Sequence, residues 1–130
     1  MRSQNWSDVL KLLAMMILGG DKSPEEESRI FQDTALSLKE EIYPELTLTR
    51  EMAKDWLDEH RKNITRSMSS LYFDTTATEL LSNLSILPNK QDIVLYMIKI
   101  TLSASDTSHN EERIRDKASE IWQSPMKAAV

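Results

Sequence analysis

The chain has 130 residues, a net charge of −5 and no cysteine. Its 40% hydrophobic and 28% charged residues are typical of a globular protein, and its length fits one domain. The lack of cysteine excludes disulfides, thiolate metal sites and cysteine nucleophiles. The only two glycines, Gly19 and Gly20, are adjacent, which excludes the loops with spaced glycines that bind phosphate or dinucleotides.

The first two predicted helices lie in the N-terminal third. Nine of the ten residues 9–18 are apolar, which predicts a helix that is buried on most sides. Ser7 is a good N-cap for this helix, and the glycine pair supplies its C-terminal stop. The sequence Ser-Pro-Glu-Glu at residues 23–26 has the form of a capping box with proline in the first helical position. It predicts a second helix, which Pro44 ends.

The rest of the chain predicts four more helices and no strand. His60 falls on the apolar stripe of the third helix, and we interpret it as a histidine at the edge of the core. Residues 93–102 of the fifth helix are apolar nearly all round and predict a second buried helix. The predicted starts of helices three to six are Thr47 or Thr49, Thr75 or Thr76, Asp92, and a second capping box at Ser108.

Charge and hydropathy limit the partners. No segment is strongly basic, so we expect no nucleic-acid partner. The apolar runs 9–18 and 93–102 fall well short of the roughly 20 residues of a membrane span, and each contains a lysine. No signal-peptide pattern is present. We therefore expect a cytoplasmic protein that does not insert into membranes.

The first and last thirds of the chain share one pattern. Asp8-Val9-Leu10 opens one apolar helix and Asp92-Ile93-Val94 opens the other, at an offset of 84 residues. Each helix is followed by the pattern D-x-S-x-x-E-E, which begins at Asp21 and again at Asp106. These observations predict an all-α, single-domain bundle of about six helices over residues 1–130, with its core at about 7–123. Two pseudo-symmetric helical hairpins lie at its centre.

This arrangement of a buried helix, an acidic Ser-Pro-Glu-Glu loop and a C-terminal repeat of the pattern resembles the tellurite-resistance TerB-like domain. The resemblance covers about residues 7–123, and such domains also occur at the N-terminus of membrane-anchored DnaJ-like co-chaperones. It implies a non-enzymatic helical protein of stress or tellurite response that acts through a partner protein or weak cation binding. The family loop reads Ala-Asp-Gly-x-Ile-Ser-Pro-Glu-Glu. Its metal-binding Asp falls on Gly19 and Ala104, so the acids of this chain stand two residues later.

The two acidic loops are the one recurrent polar constellation. If the repeat packs symmetrically, both loops lie near one end of the bundle, where carboxylate oxygens suit Ca²⁺ or Mg²⁺. Acids at helix starts also cap backbone N–H groups and complement the helix dipole, and we favour this structural role. Any cation binding is then weak. The candidate residues are Asp21, Glu26, Glu27, Asp106, Glu111 and Glu112.

Two other functions stay open. A metal-dependent hydrolase would use the same acidic loops and would need a concave site with convergent polar groups and a perturbed acid or base. A helical DNA-binding regulator would use the basic residues of the third helix and bind duplex DNA with a steep salt dependence. The even distribution of charge disfavours this regulator. Its residues would be Arg50, Lys54, Arg61, Lys62 and Arg66.

Overall fold

The computed structural model describes residues 3–18, 22–69, 72–104 and 110–123. Within these ranges the chain forms six α-helices and no β-strand, so the predicted all-helical bundle is confirmed. The helices are α1 (Ser3–Ile17), α2 (Pro24–Ile42), α3 (Arg50–Ser67), α4 (Phe73–Leu84), α5 (Lys90–Ala104) and α6 (Asn110–Trp122).

Helix α1 is the centre of the bundle, since it contacts each of the other five helices. Its apolar side chains from Val9 to Leu18 are all at most 2% exposed, as the run of apolar residues predicts. Burying one large aliphatic side chain is worth about 1.5–3 kcal/mol, so this one helix supplies a large part of the hydrophobic stabilisation.

Helix α5 is buried on one face only, so the prediction of a second helix buried on most sides is wrong. Ile93, Val94, Met97 and Ile98 lie in the core, whereas Leu95 and other apolar side chains of α5 are only partly buried. The physical reason is the number of neighbours: α5 packs against α1, α2 and α6. The predicted contact between the two apolar helices is present. The pseudo-symmetry of the hairpins stays a prediction.

Helices begin at the predicted residue where a side chain caps them. Ser23 Oγ accepts a hydrogen bond of 3.2 Å from the Glu26 backbone N–H, and α2 ends just before Pro44. Thr49 Oγ1 likewise accepts from the Met52 N–H at 3.1 Å, which selects Thr49 over Thr47 as the start of α3. The second capping box, at Ser108, lies outside the described residues.

Three helices begin earlier than predicted. Helix α1 starts at Ser3 and not after Ser7, α4 starts at Phe73 and not at Thr75 or Thr76, and α5 starts at Lys90 and not at Asp92. At α4, apolar packing outweighs a capping side chain. Phe73 is buried, and the residue before it makes no side-chain cap.

Candidate functional site

Glu26 and Glu27 of the first acidic loop lie in the first turn of α2, which is hydrogen-bonded to α3. Glu27 is buried, and its Oε1 accepts a hydrogen bond of 2.7 Å from Nη1 of Arg61. Nη2 of Arg61 also donates to the Pro24 carbonyl at 3.2 Å. The backbone N–H of Glu26 donates to the capping side chain of Ser23, and the Glu26 side chain is exposed. One arginine thus joins the first turn of α2 to the middle of α3.

The second acidic loop meets the end of α1. Nδ2 of Asn110 donates to the Leu18 carbonyl at 3.1 Å, which joins the first residue of α6 to the C-terminal end of α1. Glu111 is buried beside this contact, and Glu112 is exposed. A polar side chain from one repeat unit therefore satisfies a terminal carbonyl of the other, an interaction that helix ends require.

Asp21 and Asp106, the two loop aspartates, lie outside the described residues. Within the part of the chain that is described, no group of three or more histidine, aspartate or glutamate side chains is placed to hold a metal ion. The remaining four candidates divide by burial. Glu27 and Glu111 are buried in the bundle, and Glu26 and Glu112 face solvent.

A cavity of about 220 Å³, which the sequence does not predict, lies between α1, α3 and α4. Met15, Ile64 and Leu80 give it an apolar floor. Polar side chains from all three helices complete its walls. These side chains are Lys11 from α1, His60, Asn63 and Ser67 from α3, and Thr76 and Glu79 from α4.

The ring of His60 is fixed at the edge of this cavity. Its Nδ1 lies 2.9 Å from the Trp56 carbonyl oxygen. A carbonyl oxygen only accepts, so Nδ1 is the donor in this hydrogen bond. The ring also stacks on Trp56 with 4.2 Å between centroids. His60 is half-buried, which confirms its predicted place at the edge of the core.

Asp8 is buried next to the cavity wall, at 6% exposure. Burial raises the pKa of its carboxyl above the ordinary value of 3.8. The ammonium of Lys11 and a hydrogen bond with Asn83 oppose this rise in pKa, and the carboxylate of Glu79 adds to it. The carboxyls of Asp8 and Glu79 and the ammonium of Lys11 thus share one local field.

A second concavity, an apolar groove, lies between α1, α3 and the loop that precedes α3. It is lined by Trp6, Ser7, Leu10, Thr47, Leu48, Met52 and Trp56. Met52 is 46% exposed. Trp6 packs edge-on against Tyr43 at 5.4 Å, and Trp56 stacks on Phe31 at 5.5 Å, so both indoles are held in place.

Exposed acids follow α3 beside this groove. Glu51, Asp55 and Glu59 are spaced four residues apart and therefore share one side of the helix. Within the described ranges, no ion pair involves these three carboxylates. We call Glu51, Asp55 and Glu59 the acidic stripe.

The basic side chains of α3 are largely engaged with acids. Arg50 lies 2.7 Å from Asp33, Lys54 lies 3.5 Å from Asp58, and Arg61 is paired with Glu27 as described above. Three of the five residues that would serve a DNA-binding regulator thus form ion pairs, two of them at the surface and that of Arg61 partly buried. This geometry does not favour a phosphate-binding face.

No known protein family, curated protein or solved structure matches this chain. Among the described residues, no helix has both the length and the apolar character needed to cross a membrane.

Two features of the sequence indicate the cavity. Lys11 is the single polar residue in the apolar run 9–18, and His60, Asn63 and Ser67 of α3 recur at helical spacing. Only the packing of three helices shows that these side chains converge.

Proposed function

We propose that this chain is a non-enzymatic, TerB-like helical protein of the cytoplasm that takes part in a stress or tellurite response by binding a partner protein. The apolar groove is the observation that carries this proposal. Aromatic and methionine side chains are enriched where proteins bind one another, and two ordered indoles beside an exposed Met52 fit that pattern.

The negative charge of the acidic stripe favours a partner segment with positive charge. The acidic stripe lies along the same helix as Met52 and Trp56, and its carboxylates are available for basic groups. A basic amphipathic helix would place its apolar face in the groove and its lysine or arginine side chains against the stripe, a common mode of helix recognition. We propose such a helix as the binding segment of the partner.

Affinity capture from the native host tests the partner proposal. The bait proteins are the wild type, Met52→Glu in the groove, and Ile86→Glu as the control, because Ile86 is 76% exposed and does not line the groove. We expect one protein with a basic amphipathic helix to be retained by the wild type and the control and lost with Met52→Glu. Equal retention by a folded Met52→Glu variant would refute the groove as the binding surface.

For the acidic loops we propose weak divalent-cation binding at most. Glu27 is already neutralised by Arg61, and the first turn of α2 is organised by Ser23. A tight Ca²⁺ site needs six to eight oxygen ligands. Calorimetric titration with Ca²⁺ and with Mg²⁺ tests this proposal. We expect no binding tighter than millimolar. A micromolar Kd that disappears in the Asp21→Asn, Asp106→Asn double variant would contradict it.

The hydrolase alternative needs its acids free to hold a metal or a water molecule. Glu27 is instead committed to Arg61 and is out of solvent. The polar cavity that does offer convergent groups lies between α1, α3 and α4 and contains none of the four described loop acids. The geometry therefore supports binding over catalysis by the loops.

A further inference from the structure

We propose that the cavity between α1, α3 and α4 binds a small zwitterion of the size of an α-amino acid, with its carboxylate at Lys11 and its ammonium at Glu79. This site goes beyond the proposed function, because it does not involve the apolar groove, the acidic stripe or the loop acids.

Opposite charges stand on two walls of the cavity. Lys11 comes from α1 and Glu79 from α4, and among the ion pairs of the described residues none joins them within 4.0 Å. Because this ammonium and this carboxylate line one cavity and are not paired with each other, the first can bind an anionic group and the second a cationic group. A zwitterion satisfies both with no net change in charge.

Lys11 gains most from an anionic ligand. It is the one polar side chain in the apolar run of the central helix, and it is half-buried between Met15 and the other cavity walls. A partly desolvated ammonium has lost part of its hydration, and a charge-assisted hydrogen bond to a carboxylate restores it. The buried Asp8 carboxyl interacts with this ammonium and also has a hydrogen bond with Asn83. Lys11 itself lines the cavity, where a ligand carboxylate can add a second contact.

The third wall supplies neutral hydrogen-bonding groups. His60, Asn63 and Ser67 are spaced as one face of α3. Nδ1 of His60 already donates to the Trp56 carbonyl, whereas the Asn63 amide and the Ser67 hydroxyl each carry both donors and acceptors. Donors and acceptors can therefore both be offered to the polar end of an amino acid.

The floor and the volume set the ligand's size. The apolar side chains Met15, Ile64 and Leu80 suit a hydrogen atom or a short aliphatic side chain. The volume of about 220 Å³ lies below the roughly 300–1,000 Å³ of pockets for drug-sized molecules. An amino acid with no side chain or a short aliphatic one is the class that fits charge, polarity and size together.

Isothermal titration calorimetry with matched probes tests the site. The probes are glycine, L-alanine, L-valine and L-leucine, together with L-valinamide, which lacks the carboxylate, and 3-methylbutanoate, which lacks the ammonium. We expect at least one of the four amino acids to bind. We expect each truncated probe to bind about tenfold or more weakly than L-valine, because each loses one charge-assisted contact.

Two variants assign the contacts. Lys11→Met should weaken L-valine about tenfold and abolish the preference for L-valine over L-valinamide. Glu79→Gln should abolish the preference over 3-methylbutanoate. Lys62→Met and Asp116→Asn, exposed residues that do not line the cavity, are the matched controls and should leave binding unchanged. Thermal melts verify that each variant folds, and if one variant fails to fold, the other decides.

The proposal is overturned if none of the four amino acids binds at millimolar concentration. It is also overturned if an amino acid binds but neither folded variant changes the preference between probes. Neither result bears on the partner proposal, which concerns Met52 and is read from affinity capture.

Discussion

Helices α1 and α5 have similar sequences and different surroundings. Both have 15 residues, both open an apolar run with aspartate and two aliphatic residues, and both contain one lysine within that run. Helix α1 packs against all five other helices and buries every apolar side chain of its run, whereas α5 packs mainly against α1, α2 and α6 and buries one face. Apolar composition therefore sets the potential for burial, and the number of neighbours sets how much of it is realised.

The two opening aspartates show the same difference at one residue. Helix α1 begins at Ser3, so Asp8 lies in its second turn and is buried. Asp92 lies in the first turn of α5, where it is exposed and complements the positive end of the helix dipole. One sequence pattern thus places a carboxylate where it costs stability in α1 and where it adds stability in α5.

Truncating a leucine in each helix tests this comparison most strongly. Leu13→Ala in α1 should lower the free energy of unfolding by about 2–5 kcal/mol, because Leu13 is fully buried and leaves a cavity. Leu95→Ala in α5 should cost about 1 kcal/mol, because Leu95 is only partly buried. Urea unfolding measures both values. Equal losses would show that α5 carries as much of the core as α1.

The first turn of α2 is joined to α3 by a partly buried ion pair. Arg61→Met leaves the carboxylate of Glu27 buried without its cation, and should lower the free energy of unfolding by about 1–3 kcal/mol. Arg29→Met is the matched control, since Arg29 pairs with Asp33 in solvent at 3.7 Å and should cost less than about 1 kcal/mol. Chemical denaturation of both variants decides whether Arg61 stabilises the packing of α2 against α3. A loss with Arg61→Met no larger than that of the control would show that it does not.

Sequence predicted helices well where the signal is local. The apolar periodicity located all six helices. Ser23 predicted the start of α2, and Thr49 was one of two candidate starts for α3, because each cap acts over three residues. The predicted starts of α1, α4 and α5 were wrong, each by two residues or more, because local caps do not report tertiary packing. Burial of Phe73, for example, extends α4 to a point where no side chain caps it.

The candidate sites show the same limit. The acidic residues at the start of α2 were identified from their spacing, but the partner of Glu27 is Arg61, 34 residues away in sequence. Periodicity within one helix contains no information about that distance. The polar cavity needs Lys11, His60 and Glu79 from three helices, and their meeting depends on how those helices pack.

Removing the hydrogen bond between Asn110 of α6 and the end of α1 tests how much the two repeat units stabilise each other. Asn110→Ala removes the hydrogen bond from Nδ2 to the Leu18 carbonyl and should lower the free energy of unfolding by about 1 kcal/mol. Gln91→Ala, a half-buried amide at the start of α5, is the control and should change it by less than about 0.5 kcal/mol. Thermal and urea melts measure both variants. No difference between them would mean that the end of α1 does not rely on α6.

The last prediction separates Asp8 from Asp92 by the sign of their effects. Burial raises the pKa of Asp8 in the folded state above 3.8, so the folded protein holds this proton more tightly than the unfolded chain. Its favourable contribution is present below the unfolded pKa and is lost as the pH rises through the folded pKa. Asp8→Asn removes this loss, so the stability of the variant relative to the wild type should increase from about pH 3 to about pH 7.

Asp92→Asn removes a carboxylate from a helix N-terminus and should instead lower stability at neutral pH by about 0.3–1 kcal/mol. Urea unfolding at both pH values measures the two effects. If Asp8→Asn behaves like Asp92→Asn at neutral pH, the two aspartates are equivalent and the burial of Asp8 does not penalise its charge.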